Sequence, residues 1–180
     1  MDIVTWWFWT LLAVVLVGLY LSQTAGRLDR LHIKVDQARA ALEQQLLRRA
    51  SVASEVAASG LLDPATSLVL AEAAHGARSA VPAGGPRAQS DLTEVLGLAF
   101  ADPDDVDELT EVAGGAELLD ELGSVTRRVQ LAHQFHEDAV RSCARMRERR
   151  IVRWLRLAGR APWPRSEDFA DEPPAALTAA

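Results

Sequence analysis

Cysteine, lysine and strand-forming aromatics are nearly missing from this sequence. Its one cysteine, Cys143, excludes an internal disulfide. No second thiol stands ready to complete a zinc site, and the flanking sequence is helix-forming, so Cys143 reads as a small buried hydrophobe. Lys34 is the one lysine among 19 basic residues, a bias that suits a GC-rich genome better than a mechanism. Aromatics make up 6% of the chain while Ala and Leu abound, a balance that favours helices over sheets. No strand pattern of useful length and no internal repeat is present. Catalytic signatures are missing too. There is no G-x-S-x-G elbow, no paired Cys and His in a suitable setting, no P-loop and no dinucleotide fingerprint. "AGGPR" is a two-glycine loop. A phosphoacceptor role for His136 fails because no nucleotide-binding domain follows. The expectation is a non-enzymatic protein with no cofactor.

What is present is unevenly distributed. The formal net charge is -6, which names no partner by itself. Between Asp91 and Glu121 there are eleven acidic residues and no basic one. Between Arg127 and Arg165 there are eleven arginines against Glu137, Asp138 and Glu148. The first block suits a solvated acidic surface and the second a face that can meet anions. Nucleic acid is not expected as that partner, since the domain is not basic overall and carries no recognition motif.

The N-terminus holds the strongest signal. "IVTWWFWTLLAVVLVGLYL", Ile3 to Leu21, carries no charge, and the uncharged run continues to Gly26. About 20 apolar residues in a helix span a bilayer core, and Trp6, Trp7, Trp9 and Tyr20 stand near the ends as interfacial aromatics do. A cleaved signal peptide is the rival, but Asp2 replaces its positive n-region and "SQTAGR" is a poor cleavage site. Arg27, Arg30 and Lys34 follow the span at once. The positive-inside bias then puts the C-terminal domain in the cytoplasm and the N-terminus outside, at the plasma (bacterial inner) membrane.

Beyond Gly26 the pattern is helical. Leu28, Leu31, Val35, Ala38 and Leu42 form a seam of alternating 3 and 4 spacings. It then runs either through Leu46, Ala50, Ala53 and Ala57 or through Arg49, Val52 and Val56, stopping at Gly60. Asp63 caps a second helix with Pro64 at its first position. "PAGGPRAQ" reads as a loop and "SDLTEVLGLAF" as a short helix. "ADPDDVDE" is an acidic connector with a helical start near Asp104, interrupted at Gly114 and Gly115. A long last helix carries an unbroken heptad seam, Leu118, Leu122, Val125, Val129, Ala132, His136, Ala139, Cys143 and Met146, and continues to about Ala158. "APWPRSEDFADEPPAALTAA" is Pro-rich and acidic, a composition of disordered or loosely docked tails. The expected fold is all-α: a transmembrane anchor over residues 1–26, an antiparallel up-down bundle with long first and last helices over 27–160, and a disordered tail over 161–180.

In that topology the last helix returns to the bilayer. Arg145, Arg147, Arg149, Arg150, Arg153 and Arg156 would meet anionic lipid head groups or a protein partner, with Trp154 and Trp163 at the interface, each arginine gaining on the order of 1 kcal/mol from anionic lipid. A solvated face with i,i+4 pairing is the plain alternative.

Two blocks resemble the LemA family of bacterial membrane-anchored helical proteins. "LEQQLLRRASVASEVA" resembles its first-helix block, where glutamine and leucine precede paired basic residues; Gln45, Leu46, Arg48 and Arg49 fall on it. "RRVQLAHQFHEDAV" resembles its last-helix block; Arg128, Phe135, Asp138, Ala139 and Val140 fit, while His136 and Glu137 replace the usual Tyr and Asn. The Asn-Pro kink of the family is missing near Ala53 and Ser54. The resemblance implies a divergent branch, an antiparallel bundle behind one span, and a scaffold or interaction role at the membrane; it brings no catalytic residues.

A metal-binding bundle, sensor or oxidase, is the alternative function. Carboxylate-bridged metal sites use Glu-x-x-His from facing helices, and Glu72 with His75, and His133 with His136, supply the fragments. The full site needs more glutamates at one level than this pattern provides. His136 fits better as a seam residue hydrogen-bonded to a neighbouring helix, because a buried imidazole needs a partner.

Overall fold

The computed structural model describes residues 2–81, 85–149, 163 and 165–177, with side chains from residue 6. Those residues form five α-helices, α1 (Asp2–Ala58), α2 (Pro64–Ala80), α3 (Pro86–Ala99), α4 (Pro103–Glu111) and α5 (Gly115–Arg147), and a 3-10 turn at Ala175–Leu177. No strand occurs among them. The chain divides into two compact units, residues 1–37 with 138–165, and residues 38–137 with 166–180.

The helix ends follow local chemistry. α1 stops where Gly60 takes φ 80°, a left-handed turn that costs glycine nothing. α2 starts at Asp63, whose carboxylate accepts from the Ala65 and Thr66 amides at 2.9 and 3.2 Å. Those bonds, the one from Thr66 first, hold its carboxyl below the ordinary carboxylate range. α3 begins four residues earlier than the sequence suggests. Pro86 takes the first helical position, where its fixed φ and missing N–H are assets, so the loop is shorter than "PAGGPRAQ". The acidic connector is helical as α4, capped by Asp102, and Gly114 at φ 82° separates it from α5. The expected continuation of the last helix to Ala158 lies mostly outside the described residues.

The larger unit holds the main core. The two candidate seams at the end of α1 are both buried: Leu46, Ala50, Ala53 and Ala57, and also Arg49, Val52 and Val56. A single stripe cannot be chosen there because this end of α1 is covered on a wide face. Val52, Val56, Leu70, Leu92, Leu96, Phe100, Leu122 and Val125 form one apolar cluster with the C-terminal Leu177. Leu42 and Leu46 join Val81, Val129 and Phe169 in a second. Arg48 of α1 pairs with Glu121 of α5.

The smaller unit carries the apolar N-terminal part of α1. Trp6, Trp7, Phe8, Trp9 and Leu11 are each more than 60% exposed. Further along, Leu28 packs on Met146, and Val35 on Val140 and Cys143. Burial pushes the Cys143 thiol up, with Arg147 opposing, which keeps it an unreactive hydrophobe.

Residues 165–177 agree with the docked rather than the disordered alternative for the tail. Phe169 and Leu177 are buried, and the segment is a strap laid across the larger unit. Acidic, Pro-rich composition favours disorder only where too few apolar groups are buried to offset ordering entropy; here a few anchors, each well placed, suffice.

Candidate functional site

The most concentrated buried chemistry of the larger unit lies under this strap. Arg49, on α1, is 0% exposed. α3 presents its partners one turn apart. The guanidinium donates to Thr93 Oγ1 at 3.0 Å, and to the backbone oxygen and Oε1 of Gln89 at 3.1 and 3.0 Å. Gln89 is held in turn by its amide, which donates to the Ala77 carbonyl of α2 at 2.8 Å. Among the described residues Arg49 Nε has no hydrogen-bond partner. Burial pushes the Arg49 pKa down to about 10, partly offset by the Asp171 carboxylate. The group stays charged at physiological pH.

The strap closes over this network by named contacts. Thr93 Oγ1 donates to the Ala170 carbonyl at 2.8 Å, and the Ala170 amide donates to Ser90 Oγ at 3.0 Å. His133 of α5 lies 2.8 Å from Asp171 Oδ2 through Nδ1, and 2.7 Å from the Glu167 carbonyl through Nε2. The second contact requires Nε2 to carry hydrogen. Phe169 stacks on the same imidazole, centroids 4.3 Å apart. Arg127 donates to the Leu177 carbonyl at 3.2 Å. Gly123, in the middle of α5, makes room for this approach: a Cβ there would sit 2.4 Å from the Leu177 carbonyl oxygen.

The arrangement is a lock that holds the strap onto the larger unit. Its polar groups are directed at other parts of the chain, with Arg49 Nε the exception among the described residues. Gly123, a helix-interior glycine, and Phe169, the one aromatic of an acidic segment, are the sequence signals that mark the lock; neither stands out by periodicity.

The metal candidates are not brought together. Glu72 and His75 are exposed on α2, and His133 is engaged by the strap. No group of three or more His, Cys, Asp or Glu able to hold a metal occurs among the described residues. His136 is in the seam as expected, 1% exposed. The hydrogen bond expected for it is not there: neither ring nitrogen has a partner among the described residues. The seam positions before and after it on α5, Ala132 and Ala139, offer no polar group. An unpaired buried imidazole is a cost without return. His136→Leu should therefore leave stability unchanged or raise it by about 1 kcal/mol, and His136→Glu should lower it by several, as urea denaturation followed by circular dichroism would read.

The arginine set also divides. Arg145 and Arg149 are exposed, and Arg145 donates to Ser142. Arg147 turns inward, 7% exposed, with its guanidinium 4.6 Å over the Trp163 ring and 3.3 Å from His32 Nε2. A lipid-facing role for Arg147 is thereby corrected: a cation on an aromatic face is already matched within the chain. Arg150, Arg153, Trp154 and Arg156 lie outside the described residues. Of the family-like positions, Leu46, Arg49 and Val140 are buried, Gln45 is half-buried, and Arg48, Arg128, Phe135 and Asp138 are exposed. Asp138 pairs with Arg141 at 2.6 Å. No protein-family model, no curated protein and no solved structure matches the chain.

Proposed function

We propose that this chain is a non-enzymatic, single-span membrane protein whose helical domain acts as a scaffold or interaction module, a divergent member of the LemA type. The observation that carries the reading is the first part of α1. The helix contains a window of mean hydropathy 1.6 of which 6% is buried. Its apolar side chains are exposed all round, and a helix apolar on every side needs lipid or a large core to cover it. Two threonine hydroxyls inside it are internally satisfied. Thr10 and Thr24 donate to the carbonyls four residues back, Trp6 and Tyr20, at 2.6 and 2.8 Å, as hydroxyls in a bilayer must.

The scaffold reading rests on the rest of the fold. Contacts between α1 and α5 run in opposite chain directions within the larger unit, Leu42 meeting Val129 in one cluster and Arg48 meeting Glu121. Such pairing supports the antiparallel up-down bundle with long first and last helices. The LemA-like blocks fall on these same two helices. Arg27, Arg30 and Lys34 support a cytoplasmic domain at the plasma membrane by the positive-inside bias. The location of the C-terminus across the membrane tests the whole reading: a reporter fused there should stay on the cytoplasmic side.

A further inference from the structure

α2 and α3 pack along each other and leave a furrow on their outer side. One depression is lined by Ala65, Val69, Val95 and Leu98. A second, sharing Val69 and Val95, continues over Ala73, Gly76 and Ala88 between Glu72 and Asp91. A third, sharing Thr66 and Leu98 with the first, ends among Asp63, Asp105 and Glu108. From Asp63 to Gly76 the furrow follows α2 for about 20 Å at 1.5 Å per residue, the length of a helix of three to four turns. Its floor is apolar and open: Val69 is 52% and Leu98 74% exposed, with Leu68 beside them at 70%. No lysine or arginine lines any of the three depressions. Arg78, the one arginine of α2, is drawn away to Ser51 of α1 at 2.8 Å, and Arg87 stands alone at the start of α3.

Gly76 is the second, independent observation. Glycine inside a helix costs stability and is retained where another group must come close. Gly123 has such a reason in the Leu177 carbonyl. Gly76 has none among the described residues, since a Cβ there would meet nothing within 4 Å. Its bare backbone faces the furrow.

We infer that the α2–α3 furrow is the docking surface for an amphipathic helix of a partner protein, one with an apolar face of small and aliphatic residues and basic residues along its flanks. Apolar anchors at i, i+3 or i+4, and i+7 would lie over Val69, Val95 and Leu98. The close approach falls at Gly76. The flanking cations meet Glu72 and Asp91 at one end and Asp63, Asp105 and Glu108 at the other. That matching of sign raises the association rate and selects a helix with basic flanks over an acidic one. The inference rests on the interaction-module reading above, which is tested separately by topology, so failure here and failure there are distinguishable.

The test uses the full chain in neutral-lipid nanodiscs and a labelled synthetic 18-residue peptide. The peptide has Leu and Ala on one face and Arg and Lys on its flanks; a counterpart has every basic residue replaced by Glu. Binding is read by fluorescence anisotropy after subtraction of empty discs, and a photoreactive group at the centre of the apolar face locates the peptide. The basic peptide should bind saturably, at least tenfold tighter than the acidic one, and crosslink to α2 and α3. Gly76→Leu should weaken it tenfold or more while leaving the thermal midpoint equal or higher, because Leu is the better helix former. Val69→Asp should also weaken it. Unchanged binding by Gly76→Leu, equal binding of both peptides, or no saturable binding would overturn the inference.

Discussion

Arg49→Ala should destabilise the helical domain by about 3–5 kcal/mol, a loss expected when one member of a buried charged network is removed. The truncation leaves a cavity where α1 faces α3, and it strands Gln89 Oε1, which loses its donor at 3.0 Å. Arg49→Met should behave differently. Burial lowers the Arg49 pKa to about 10, which corresponds, at about 1.4 kcal/mol per pKa unit, to a cost on the order of 3 kcal/mol for holding the charge there. Met has similar length, fills the site and removes that cost but also leaves Gln89 Oε1 without its donor, so its net effect should be a loss of about 1–2 kcal/mol, smaller than that of Ala. Arg49→Lys should fall between them, because an ammonium cannot reproduce the planar fork that reaches Thr93 and Gln89 together. Urea denaturation of the full chain in detergent, followed by helical circular dichroism, separates the three. An Ala variant as stable as the Met variant would show that filling the volume contributes nothing and that the loss lies in the hydrogen bonds both variants lack.

The strap carries the second large effect. Phe169→Ala and Leu177→Ala remove side chains that are 6% and 5% exposed, and each should cost roughly 2–4 kcal/mol. Neither can cost more than the free energy of docking the strap, since beyond that point the segment simply leaves the surface. The double variant should therefore lose less than the sum of the singles. Gly123→Ala gives the sharper result. In an ordinary helix interior this change stabilises by roughly 1 kcal/mol. Here the new Cβ meets the Leu177 carbonyl oxygen at 2.4 Å, so in the full chain it should destabilise. In a chain ending at residue 164 the obstacle is gone and the same substitution should stabilise. The sign reversal, read as a shift of the denaturation midpoint, belongs to a docked strap; the same sign in both chains would contradict it.

The helices were legible in the sequence because their signals are local. Asp63 and Pro64 mark a helix start with a cap and a fixed φ, and Gly60 marks a stop. The heptad spacing from Leu122 through Met146 matches the buried face of α5. The core at the end of α1 was half legible: two stripes competed there because both are buried, and one sequence pattern cannot say how many neighbours a helix has. The lock under the strap was not legible. Composition assigns the tail to disorder, and pairing Phe169 with His133 or Leu177 with Gly123 joins positions tens of residues apart. Arg49 was picked out as part of a family-like block and as one alternative for the seam, not as the centre of a buried polar network. His136 sits in the seam as expected, and the partner it was expected to find is missing among the described residues. The furrow escaped notice for a different reason. Val69 and Leu98 look like ordinary core residues in the sequence, and only the fold shows that they remain uncovered.

The central claim is that the apolar part of α1 crosses a membrane with the helical domain on the cytoplasmic side. Two reporters fused at the C-terminus test it directly, an alkaline phosphatase active only after export and a fluorescent protein that matures only in the cytoplasm. The account predicts a membrane-bound chain, resistant to alkaline extraction, with bright fluorescence and silent phosphatase. Replacing Arg27, Arg30 and Lys34 by Gln should weaken that orientation, because the retained positive charges set it. Active phosphatase on the intact chain, or a fluorescent chain that remains free in the supernatant, would contradict it.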